Sequence, residues 1–145
     1  MPYLTVQISA NGALLDLLIG VSLPRQQALK KLSEPVPEAV TIRGLIDTGA
    51  SCTCVDPQII SSLKLTPTGQ IPIHTPSTGE LPHLCNQYDV SVTILHPALT
   101  YTFHAMPVIE SHLIHQGIHA LIGRDVLKDC LFLYDGRNQT YTLAF

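Results

Sequence analysis

Leu45-Ile46-Asp47-Thr48-Gly49-Ala50-Ser51 occurs once in the 145 residues, and its reading decides the fold. A strand from Val40 to Ile46 delivers an aspartate at its end, and the chain turns at Thr48-Gly49. Gly49 has no Cβ, so it permits a close approach of backbones and dihedrals that other residues avoid. Ser51 to Val55 resumes as a strand. Downstream, Ala120-Leu121-Ile122-Gly123-Arg124-Asp125-Val126-Leu127 echoes the pattern: a short apolar strand runs into a glycine-containing turn before a helix.

Outward from this stretch the chain is a series of short strands. Thr5 to Ile8 alternates as a strand does, and Asn11-Gly12 marks a hairpin turn that returns through Leu14 to Val21. Ser22 and Pro24 open a short helix with Ala28, Leu29 and Leu32 on its apolar side. Pro35 and Pro37 end it. Asp56-Pro57 caps and starts a second short helix through Leu63. Strands follow at Ile71 to Thr75, Leu84 to Leu95 and Thr100 to Val108. A polar, His-rich connection runs from Glu110 to His119. The chain closes with a hairpin, Leu131 to Tyr134 and Gln139 to Leu143. Many short strands, Gly/Pro turns and few helices predict a mostly β, barrel-like single domain over residues 1–145.

Composition narrows the function classes. Charged residues are 13% and hydrophobic residues 46%, so the surface is sparse in charge, which fits a large self-association interface. The net charge is -3 and no Lys/Arg cluster exists, so no nucleic acid partner is expected. Leu14 to Val21 is interrupted by Asp16 and falls far short of a membrane span of about 20 residues. With no signal-peptide pattern at the start, a cytoplasmic protein is expected, its four cysteines free thiols. Cys52 and Cys54 lack a second pair for zinc, and the seven histidines match no ligand spacing, so no metal is expected. Asn138-Gln139-Thr140 reads as a turn. Neither Ser-His-Asp nor Cys-His catalysis has a supporting motif.

Asp47-Thr48-Gly49, flanked by Leu45-Ile46 and Ala50-Ser51 and followed at a distance by Ile122-Gly123-Arg124-Asp125, resembles the two signatures of the retropepsin-like aspartic proteases. The resemblance runs from about Val40 to Phe145. It implies an acid-protease barrel with a few short helices, active as a homodimer, and an endopeptidase that needs no cofactor. Peptide hydrolysis of this kind uses a water activated between two carboxylates. Like charges about 3 Å apart cannot both ionise, so the pair shares a proton. Only Asp47 is offered per chain, so the second catalytic carboxylate is the Asp47 of a twin.

The resemblance also implies roles. Thr48 reaches across to the partner's loop, Gly49 allows the close approach, and Ser51 faces the substrate backbone. Ala50 stands where pepsin-like enzymes place a hydroxyl donor to the carboxylate. Losing that donor leaves the dyad less acidic, so the optimum is expected at roughly pH 4–6. A flap over about 73–84 carries Thr75, Ser77, Thr78 and Gly79 near its tip. Gly123, Arg124 and Asp125 form the structural second signature, with Arg124 bracing the loop and Asp125 capping the helix. Two departures stand out: a helical insertion at about 23–38 and a full C-terminal hairpin at about 131–145. Leu131, Leu133, Tyr141 and Leu143 are expected to give that hairpin an apolar interface face. The rival reading is the same fold kept as a dimerisation or binding module with weak or lost proteolysis.

Overall fold

The computed structural model describes residues 1–145. Ten strands run β1 Tyr3–Gln7, β2 Leu14–Val21, β3 Val40–Ile46, β4 Cys54–Val55, β5 Gly69–Ile73, β6 His83–Ile94, β7 Tyr101–Glu110, β8 Ala120–Ile122, β9 Leu131–Asp135 and β10 Thr140–Ala144. Three short helices are α1 Leu23–Lys31, α2 Pro57–Ser62 and α3 Arg124–Leu127, with a 3-10 turn at Ile114–Gln116. Strands β2-β3-β8-β4-β7-β6 are neighbours in that order, and β6 pairs back onto β2, so six strands close a barrel. Strand β5 extends the sheet from β6, and β1-β10-β9 form a separate three-stranded sheet.

The barrel closes because its strands alternate. Leu15, Leu17, Ile19 and Val21 of β2 point inward and are buried, while Asp16 between them is exposed. Val90, Val92 and Ile94 of β6 fill the same core with no exposure. Each such side chain stabilises the fold by about 1.5–3 kcal/mol on burial. No helix is long and apolar enough to cross a membrane.

Several local expectations change. Asn11-Gly12 does form a turn, with Ser9 and Gly12 exchanging backbone bonds, but β1 and β2 do not pair. Both edges of β2 are occupied by β3 and β6, which barrel closure requires, so β1 pairs antiparallel with β10, Tyr3 opposite Ala144. The strand expected over Ser51 to Val55 shrinks to Cys54–Val55, because the Thr53 N–H bonds a side chain instead of a ladder. Strand β7 runs on to Glu110. Helix α1 buries no residue fully: of the expected apolar side only Leu29 is half-buried, facing Val21, Leu63 and Leu65, while Ala28 and Leu32 are exposed, so segment 23–38 lies at the surface. The four hairpin residues do not share a face. Tyr141 opposes Tyr134 and Leu143 opposes Phe132, while Leu133 opposes Thr142. Tyr141 and Leu143 therefore enter the core, and Leu131 and Leu133 point out, 62% and 60% exposed.

Candidate active site

Strands β3 and β8 lie parallel, Ile46 beside Ile122, and carry the two signature turns to the same end of the barrel. Backbone bonds stitch the turns together: Asp47 N–H donates to Ile122 O at 3.0 Å, and Arg124 N–H donates to Ala50 O at 2.9 Å. The Gly49 N–H donates to Asp47 Oδ1 at 2.9 Å. A Cβ on Gly49 would sit 3.1 Å from that oxygen, and Gly49 is not at positive φ, so close approach and not an unusual dihedral is what this position requires.

Arg124 braces the loop from behind, its Nη1 donating to the carbonyls of Thr48 and Gly49 at 2.9 and 3.2 Å. Asp125 does not cap α3; Gly123 holds the N-cap position. Its carboxylate accepts from Thr53 N–H at 2.8 Å, from Thr53 Oγ1 at 2.7 Å and from the Val126 N–H at 2.9 Å. Thr53 Oγ1 in turn accepts from the Gly123 N–H at 3.1 Å. Gly123 packs so tightly here that a Cβ would lie 2.6 Å from the Cys52 carbonyl carbon. Asp125 is thus consumed by structure, and Asp47 remains as the carboxylate facing open space.

That space is a cleft of about 700 Å³. Asp47, Gly49, Ala50 and Ser51 form one side, Thr75, Ser77 and Thr78 the other, with Ile109, Glu110, Ser111 and Leu121 between. The hairpin tip is tied to itself: Thr75 N–H donates to Thr78 Oγ1, which donates back to Thr75 O, both at 2.9 Å. Gly79 does not line the cleft; its φ of +62° serves the turn. Thr48 is exposed at the loop's edge and Ser51 is exposed in the cleft. Three thiols line the same space. Burial first, and then the neighbouring Cys52 and Cys85, push the Cys54 thiol up to about 12. Burial, then Glu110, raises Cys85. Thiols held in the protonated form are poor nucleophiles, which applies to Cys54 and Cys85. No three His, Cys, Asp or Glu side chains converge as a metal would require.

No protein-family model matches the chain, and no curated protein matches it in sequence. Among solved structures, a retropepsin-like aspartic protease from Rickettsia conorii superposes with a TM-score of 0.60 at 13% identity, over 99% of this chain and 91% of that one. The chain has the retropepsin-like fold. The retroviral protease-like domain of Ddi1 from Leishmania major matches at a TM-score of 0.40 and 16% identity, over 86% of this chain and 83% of that one.

Within the retropepsin-like fold, Asp47, Gly49, Ala50, Ser51, Thr75, Ser77 and Thr78 meet in one cleft, while Gly123, Arg124 and Asp125 lie behind it. Sequence reasoning missed Thr53, which is fully buried between the two turns. Its partner lies 72 residues away, so no local pattern marks it. Glu110, read only as the start of a polar connection, is likewise in the cleft.

Proposed function

We propose that the chain is an aspartic endopeptidase of the retropepsin type, with one active site between two copies of the chain. The observation that carries this is the position of Asp47: its Oδ1 is held by the Gly49 N–H on one side of a cleft of about 700 Å³, while Asp125 is occupied by Thr53. One chain therefore brings one free carboxylate, and a dyad requires a second copy. Two Asp47 carboxylates about 3 Å apart share one proton. One takes a proton from water as general base while the other protonates the scissile carbonyl. The water oxygen bonds to that carbon, the amide C–N bond breaks, and the leaving nitrogen takes up a proton. The hairpin over 73–84 acts as the flap that excludes bulk water. Thr48, exposed at the edge of the loop, meets the partner's loop.

The test is a peptide library incubated with wild type and Asp47→Asn across the acid range, with and without a statine-type peptide. Wild type should cleave and the inhibitor should stop it. Asp47→Asn should lose about a thousandfold or more in kcat/KM. Cleavage that survives Asp47→Asn overturns the proposal.

A further inference from the structure

Two imidazoles border the cleft and take no part in the proposed chemistry. His83 opens β6 opposite Ile73 of β5, and Cys85 lies opposite Ile71. Successive side chains of a strand alternate between faces, so His83, Cys85, Ile71 and Ile73 share one. That face is turned to the cleft, because Ile73, His83 and Cys85 line it together with Cys54, Ile109 and Leu121. His74, the residue after β5, borders the same space.

The fold makes no use of either ring. His96 and His119 each accept backbone N–H groups at Nδ1, whereas no hydrogen bond or ion pair within the chain involves His74 or His83. Both are exposed, and no lysine or arginine lines the cleft, so these two rings are its only source of positive charge. Histidine side chains gain their charge between about pH 8 and 5. The hairpin side of the cleft therefore turns cationic toward the acid range in which two carboxylates would do their work.

The neighbouring groups leave that charge available. Glu110 borders the cleft, but its carboxylate accepts from Asn86 Nδ2 at 2.7 Å and from Tyr88 OH at 3.1 Å. Asn86 and Tyr88 alternate with His83 and Cys85 along β6, so this carboxylate belongs to the opposite face of the sheet. Asp47 stands on the other side of the cleft and is committed to the dyad. Glu80 is exposed near the hairpin tip and does not line the cleft. Burial raises the Cys54 and Cys85 thiols, so they stay neutral in acid, as does Cys52 beside them as an ordinary thiol. Half-buried Ile73 and Cys85 offer apolar surface beside His83 for the methylenes of an acidic side chain.

We propose that His83 makes the hairpin wall a subsite for an acidic side chain, so that the preferred peptide carries glutamate or aspartate at the position lying against it. The inference rests on the reading of the cleft as a peptide-cleaving site. An imidazolium facing a carboxylate at a partly open surface favours glutamate over its uncharged isostere glutamine by about three- to fivefold. The preference needs both charges. It is present where a peptide glutamate is ionised, above about pH 4, and fades as histidine loses its proton toward pH 8.

The experiment is a positional scan in which each peptide position in turn is glutamate or glutamine, with kcat/KM measured at pH 5.5 for wild type, His83→Gln and His74→Gln. Wild type should prefer glutamate about three- to fivefold at one position, on one or both sides of the cut, and His83→Gln should bring that ratio close to one. Taking the ratio within each protein cancels any general loss from an altered hairpin. The same peptides are titrated by calorimetry into Asp47→Asn and into Asp47→Asn/His83→Gln at pH 5.5 and 8, where the preference of the first should be present and absent in turn. Should wild type cut nothing, the endopeptidase reading falls, yet glutamate-selective binding that disappears in the double variant upholds the subsite. A glutamate preference unchanged in His83→Gln overturns it, as does one that only His74→Gln removes, or the absence of any glutamate preference in cleavage and binding alike.

Discussion

Thr53 uses its hydroxyl in both directions, accepting from the Gly123 N–H and donating to Asp125, with no exposure to water. Thr53→Val keeps the shape and removes both bonds. A buried donor left without a partner costs about 1–3 kcal/mol, so Thr53→Val should lower stability by about 2–3 kcal/mol and Thr53→Ser by much less. Urea titration should show a lower midpoint at unchanged slope; an unmoved midpoint would mean that the hydroxyl does not tie the two turns together. At this scale the sequence is unevenly legible. Asp47 and Gly123 announce themselves because an apolar strand ending in a glycine turn is a local pattern. Thr53 stays silent because its role depends on a fold that brings residue 125 against it.

Asp56 shows how one side chain organises two elements. It accepts from Gln58 N–H at the start of α2, and from the N–H groups of Leu113 and Ile114 at the 3-10 turn, at 2.7–2.9 Å. Burial alone would raise its carboxyl; the three backbone donors, helped by His112, outweigh burial and hold it below its ordinary value. A carboxyl lowered in the folded state contributes stability that is complete above the unfolded value, roughly pH 4. That contribution is lost as pH falls through the folded value. Asp135 acts in the same sense at the surface, its carboxyl lowered chiefly by the Asn138 backbone and side chain. Asp56→Asn should therefore cost about 1–3 kcal/mol at neutral pH, and its stability should decline less than that of wild type below pH 4. Thermal melts of both proteins across that range decide it, and parallel pH profiles would count against the assignment. The cap on α2 was legible, since Asp-Pro before an apolar run marks a helix start. Its second hold, on residues 113 and 114, was not. Strand pairing failed similarly: Asn11-Gly12 marks a turn, but only barrel closure determines that β1 leaves β2 for β10.

For the whole molecule the question is how two chains would meet. Sequence placed Leu131, Leu133, Tyr141 and Leu143 on one face, but a shift of one residue in a hairpin register exchanges faces, and the observed register splits them. What remains outside is Tyr3, Leu131 and Leu133 on the outer face of the β1-β10-β9 sheet, each about 60% exposed (63%, 62% and 60%). We propose this face as the dimer contact, and the sidedness makes the test clean. Leu133→Glu alters a residue outside the core, so the chain should stay folded by circular dichroism yet sediment as a monomer without peptidase activity; a persisting dimer would move the contact elsewhere. Mixing then asks whether the site itself is shared. In a dimer that exchanges freely, the activity per wild-type chain equals the fraction of wild-type chains present. Adding an equal amount of Asp47→Asn should thus cut the activity of a fixed amount of wild type to about half, and nine equivalents to about a tenth. The same additions of an Asp47→Asn/Leu133→Glu chain should leave it unchanged, because that chain cannot pair. If each chain worked alone, neither addition would change the rate, so an unmoved activity after full exchange would place the whole reaction within one copy and remove the need for a second Asp47.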